Sequence, residues 1–208
     1  MKRIRQESPP SFSDYRKYKP FLRTDFDYQC AYCESREPEL GGEKRTHIDH
    51  YKPKKKFPKL ATLYANLFYS CPECNQSKKD YWPTVSQRLA KQFILNPCDH
   101  DFSRHFDRSS ANWRGLTLAG RWNISKLLLS SAEQVRRRDD RKVLVDLVAE
   151  LEDQIRLAKA AADSARKMDN ISGARAASTT IDKLRRRVEA LRAKCLSTEQ
   201  IQALPSIL

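Results

Sequence analysis

Thr46-His47-Ile48-Asp49-His50-Tyr51-Lys52-Pro53 lies between two cysteine pairs, Cys30-Ala31-Tyr32-Cys33 and Cys71-Pro72-Glu73-Cys74. The alternation across His47-Ile48-Asp49-His50 suits a strand, whose successive side chains face opposite ways. For Asp49 and His50 to serve one site, that strand must end or bend beside them, and Lys52-Pro53 supplies the break. Each flanking C-x-x-C pair can offer two thiolates to one tetrahedral ion at about 2.3 Å. Four sulfurs close the coordination shell, so Cys30, Cys33, Cys71 and Cys74 are expected to hold a structural Zn²⁺. Cys98 and Cys195 fall outside this set. Cys98, near His100, has poor spacing for a second metal site, and Cys195 reads as a small buried apolar residue.

Working outward, the 208 residues carry a formal net charge of +14. A surplus this large points to a polyanionic partner, most simply nucleic acid. No run of about 18 apolar residues is present, so no membrane-spanning helix is expected. Met1-Lys2-Arg3-Ile4-Arg5 is charged and leads into no apolar run, which is not the pattern of a secretory signal. A cytoplasmic location is therefore expected. In that reducing setting, paired C-x-x-C motifs bind metal more often than they form disulfides.

Sixteen residues after His50 comes Asn66, in Ala65-Asn66-Leu67-Phe68-Tyr69, and nine residues later Asn75 follows Cys74 directly. The dyad, the middle asparagine and the distal asparagine, in order around two cysteine pairs, resemble the HNH endonuclease family. The resemblance covers residues about 30 to 80. It implies a two-stranded hairpin and a helix around one metal, the ββα-metal fold. It also implies hydrolysis of DNA phosphodiester bonds. His50 would deprotonate a water near neutral pH. Asp49 and Asn75 would offer oxygens to an exchangeable Mg²⁺ or Mn²⁺. Asn66 would hydrogen-bond across the loop and fix the orientation of His50. The third motif position is Asn75 rather than histidine, which makes this an H-N-N variant. Lys52, Lys54, Lys55 and Lys56, with Lys78 and Lys79, are expected to make sequence-independent phosphate contacts. A zinc-ribbon DNA-binding module without catalysis would leave the spacing of His50, Asn66 and Asn75 unexplained, and the intact Asp49-His50 dyad argues against a scaffold with a degenerate core.

The flanks widen the likeness. Asn66-Leu67-Phe68-Tyr69-Ser70-Cys71-Pro72-Glu73-Cys74-Asn75 is similar to HNH nucleases of Septu and retron-associated anti-phage systems. So are Ile94-Leu95-Asn96-Pro97, His105-Phe106, Gly115-Leu116-Thr117 and Gly120-Arg121. That resemblance implies an ATPase partner protein.

Beyond residue 131 Gly and Pro nearly vanish. Leu144, Val148, Leu151, Ile155, Ala158, Ala162 and Ala165 recur at spacings of four and three, which is a heptad seam. Ala177, Ile181, Leu184, Val188, Leu191 and Cys195 form a second seam after a turn at Asp169-Asn170-Ile171-Ser172-Gly173. Matched seams around one turn predict an antiparallel helical hairpin, whose role is to dock a partner, buttress the core or form a homo-oligomer. Arg136, Arg137, Arg138, Arg185, Arg186 and Arg187 are expected on its flanks and outer faces. The chain thus divides into a basic segment at 1–28 whose first ten residues are expected to be mobile, a nuclease core at 29–82, a family-specific region at 83–130 and a helical hairpin at 131–208. The class is α+β, a small ββα-metal core followed by a mainly helical region.

Overall fold

A computed structural model describes residues 2–5 and 10–195, apart from the side chain of Cys195. Contacts divide the chain into two units, Met1–Arg138 and Asp139–Leu208.

In the first unit a 3-10 turn at Tyr15–Tyr18 leads into helix α1 (Lys19–Asp25), with Pro20 in its first turn. Helix α2 (Glu37–Leu40) follows the first cysteine pair. Strands β1 (His47–His50) and β2 (Leu67–Ser70) then pair antiparallel, with His47 opposite Ser70 and His50 opposite Leu67. Helix α3 (Pro72–Lys78) starts at once. Its first turn is specified locally: Pro72 needs no amide partner there, and the Cys71 sulfur accepts from the Cys74 amide at 3.4 Å. This is the ββα order that the family resemblance implies. Behind it lie Leu22, Phe26, Tyr32, Leu67, Phe68 and Tyr69, each at most 1% exposed.

The N-terminal residues are better fixed than their composition suggests. The Arg3 amide bonds the Pro97 carbonyl at 2.9 Å. The Arg5 guanidinium donates to the carbonyls of Tyr64 and Leu67 at 3.0 and 2.7 Å and lies 4.6 Å from the centre of the Phe68 ring. At Arg3 and Arg5 these contacts run against the expectation of a mobile start, and residues 6–9 lie outside the described residues. Buried carbonyls and aromatic faces can hold a cation that composition alone assigns to solvent.

Helix α4 (Val85–Leu89) carries a Thr84/Gln87 capping box. The short strands β3 (Phe106–Asp107) and β4 (Arg114–Gly115) pair antiparallel. Helix α5 (Leu118–Lys126) is capped by Thr117, and a Cβ at Gly120 would sit 2.1 Å from the His105 carbonyl oxygen. Helix α6 (Ala132–Lys167) begins in the first unit. There Arg138 is 7% exposed. It donates to the carbonyls of Ala111 and Leu129, and its guanidinium sits 4.0 Å from the Trp113 ring centre. Arg137 pairs with Glu73 at 2.8 Å. Both were expected on an outer docking face, and both serve the packing of the first unit instead.

In the second unit α6 and helix α7 (Ile171–Cys195) form the antiparallel hairpin. Leu151 and Ile155 pack with Ile181, Leu184 and Val188, and Arg192 bonds Glu152. Ala162 is 2% exposed, as its place on the seam predicts. The turn is tighter than expected, because Asn170 caps α7 by accepting from the Gly173 amide at 2.9 Å. The last seam residue, Cys195, has its side chain outside the described residues. No helix among the described residues is long and apolar enough to cross a membrane.

Candidate active site

The four cysteines come together before any metal is invoked. Cys30 and Cys33 lie in the loop after α1, while Cys71 and Cys74 open α3. All four are fully buried, and their sulfurs lie within 4.8 Å of one another. The Cys33 and Cys71 sulfurs are 3.7 Å apart. A tetrahedral ion with bonds of about 2.3 Å separates its sulfurs by about 3.8 Å, so the cluster has the dimensions of a zinc site. Burial raises the Cys30 thiol, yet hydrogen bonds with Cys33, Cys71 and Cys74 outweigh it and hold Cys30 well below the ordinary thiol value. Bonds to Cys30 and Cys33 raise Cys71 and Cys74 in turn. Four buried thiolates repel one another unless a cation sits among them. From α6, Gln134 points its amide nitrogen at the Cys74 sulfur, 3.8 Å away. Among the described residues this is the sole gathered set of three or more His, Cys, Asp or Glu side chains. Cys98 takes a different partner, the Arg5 guanidinium at 3.2 Å.

β1 sends its dyad two ways. The His50 ring packs edge-on against Tyr15, with centroids 4.7 Å apart, and its Nε2 lies 2.9 Å from the Ala61 carbonyl oxygen. A carbonyl can only accept, so Nε2 carries the hydrogen and Nδ1 is left as the basic nitrogen. Burial lowers the pKa of this imidazole from its ordinary value, against the raising effects of the Ala61 carbonyl and Asp49. Lowering keeps the ring neutral, and so able to take a proton, at neutral pH.

Asn66, 5% exposed, ties down the loop that carries Ala61. Its Oδ1 accepts from the Lys52 amide at 2.8 Å, and its Nδ2 donates to the carbonyls of Lys52 and Leu60 at 3.0 and 3.1 Å. The chain of support therefore runs from Asn66 through the 52–61 loop to His50.

Asp49 faces the other way. It is 4% exposed. Its Oδ1 accepts from Lys78 Nζ at 3.0 Å, and its Oδ2 from the Tyr32 hydroxyl at 2.5 Å. Asn75 instead lies beside His47, amide nitrogen to Nδ1 at 3.4 Å. The expected metal donors Asp49 and Asn75 thus keep different hydrogen-bond partners. The reading of Lys78 is corrected. It has no exposed surface, so it cannot touch a phosphate backbone from outside.

The other expected phosphate contacts stand at the surface. Lys54, Lys55, Lys56 and Lys79 are exposed, and Lys52 is half-buried. Lys52 Nζ lies 5.6 Å from the Trp82 ring centre, and Lys54 Nζ lies 5.3 Å from that of Tyr15. Sequence reasoning missed Tyr15, Tyr32 and Ala61. Tyr15 lies far from the motif in sequence, and Ala61 acts only through its backbone. Tyr32 had a possible signal, an aromatic inside a C-x-x-C pair.

Residues 30–81 match the family model described as HNH endonuclease. The chain is also similar to the Septu protein PtuB of Bacillus mycoides (strain KBAB4), at 33% identity over 113 residues. That alignment covers 43% of this chain and 37% of the relative's own length. No solved structure matches the chain with significance. The ββα unit built on β1, β2 and α3, with its four clustered cysteines, is therefore an HNH endonuclease domain within residues 30–81.

Proposed function

We propose that this chain hydrolyses DNA phosphodiester bonds as the nuclease of an anti-phage defence system, working with an ATPase partner protein. The observation that carries the catalytic part is the setting of His50 in the matched domain. Its ring is neutral, its Nε2–H is committed to the Ala61 carbonyl, and its Nδ1 is left to accept a proton from an attacking water. Tyr15 limits the movement of the ring and keeps bulk water from one edge. Asn66 holds the loop on which that aim depends. Lys54, Lys55, Lys56 and Lys79 would hold the backbone of the DNA without reading its sequence.

The four cysteines would hold Zn²⁺, which supplies cross-linking and no open coordination position. The Mg²⁺ or Mn²⁺ that the resemblance implies would neutralise charge at the scissile phosphate. Asp49 and Asn75 would offer the oxygens that hold it. The defence role rests on the likeness to the Septu protein. For the ATPase, the hairpin offers Met168 and Ile171 at its turn, 77% and 78% exposed, an apolar tip suited to docking.

The test is plasmid cleavage by the full chain with added Mg²⁺ or Mn²⁺, with and without EDTA, beside His50→Ala. Cleavage by the wild type and none by His50→Ala is expected. Equal cleavage by both would remove His50 from the reaction.

A further inference from the structure

Lys78 is the least expected side chain in the molecule. A lysine with 0% exposure is rare unless it is paired. Here the ammonium finds two acceptors. It lies 3.0 Å from Asp49 Oδ1 and 2.7 Å from the main-chain carbonyl oxygen of His50. The second oxygen of Asp49 accepts from Tyr32, itself 1% exposed. Both donors sit on the chain segments that carry the cysteines. Tyr32 stands between Cys30 and Cys33, and Lys78 ends the helix that Cys71 begins.

A buried ion pair of this kind is a poor source of net stability, because desolvating both charges offsets much of their attraction. What it does supply is geometry. One ammonium joins the carboxylate at position 49 to the peptide at position 50, across two residues whose side chains leave the strand in opposite directions. The pleat of β1 at its last residue is thereby fixed, and with it the direction in which the His50 ring departs.

We propose that Lys78 and Tyr32 are positioning residues: they converge on Asp49, couple the four-cysteine cluster to the end of β1, and so set the aim of His50. This rests on the reading of His50 as the base. It also assigns Lys78 a role opposite to a phosphate contact. A surface lysine acts on DNA affinity, whereas a buried positioning lysine acts on the chemical step.

The experiment is single-turnover and steady-state plasmid cleavage by full-length Lys78→Met, Tyr32→Phe and His50→Ala. DNA affinity at several salt concentrations, zinc content and thermal melting are measured alongside. Lys78→Met is expected to lower kcat by up to roughly 100-fold with KM, DNA affinity and salt slope unchanged. Tyr32→Phe should lower kcat by less, with zinc still bound. A folded Lys78→Met that keeps kcat but raises KM and flattens the salt slope would overturn the proposal in favour of phosphate contact. Should Lys78→Met fail to fold, Tyr32→Phe decides, and wild-type kcat in that variant overturns it. Wild-type cleavage by His50→Ala would instead remove the reading beneath it, and the two failures are thus told apart.

Discussion

The phenol ring of Tyr15 stands edge-on against the imidazole of His50, at 72° with centroids 4.7 Å apart. Tyr15 comes from outside residues 30–81, so the matched domain is completed by the N-terminal segment. A base held in place by packing loses efficiency when its wall is removed. Tyr15→Ala should therefore lower cleavage roughly ten- to a hundredfold, while Tyr15→Phe keeps the ring and most of the rate. Equal loss in both variants would mean that the hydroxyl, not the ring, matters.

Asn66→Asp tests the loop. An aspartate can still accept from the Lys52 amide, but it cannot donate to the carbonyls of Lys52 and Leu60. Leaving those buried acceptors unpaired should cost about 1–3 kcal/mol in chemical denaturation and depress cleavage as Ala61 loses its place. A fully stable variant with full activity would dissociate the loop from His50.

Zinc should accompany the purified chain at about one ion per molecule. Cys33→Ser should lower both the metal content and the melting temperature, because metal binding here is coupled to folding. Elemental analysis and a thermal melt check this, and a zinc-free chain with an unchanged melting temperature would contradict it.

Replacing Lys54, Lys55 and Lys56 with alanine should weaken DNA binding for all sequences alike. Each lost phosphate contact should reduce the slope of log affinity against log salt by about 0.9. An unchanged slope would place the DNA path elsewhere on the surface.

Arg138→Ala separates docking from packing. Arg138 stacks on Trp113 and satisfies two carbonyls within the first unit. Its loss should destabilise that unit by about 2–4 kcal/mol, read as an earlier unfolding transition. Unchanged stability would return Arg138 to the list of partner-facing residues.

Features with local signals were legible in the chain. The alternation at His47–His50, broken by Lys52-Pro53, marks a strand, and two C-x-x-C pairs mark a four-cysteine cluster, whereas the hairpin and helix were expected from the family resemblance. Heptad spacing specifies a helical hairpin with a turn near Asp169–Gly173. Each of these signals depends on neighbours within one or two turns of chain. Tertiary structure alone decided where the charges went. Lys78 and Lys79 are adjacent and alike in composition, yet one is sealed against Asp49 and the other faces water. Arg136 and Arg138 differ in the same way: Arg136 keeps an exposed guanidinium, whereas Arg138 is buried over Trp113. A long cationic side chain carries no local preference between solvent and a buried acceptor, because the balance between desolvation and pairing is struck by groups distant in sequence. Tyr15 met His50, and Tyr32 met Asp49, for the same reason: only the packed core brings their chain segments together.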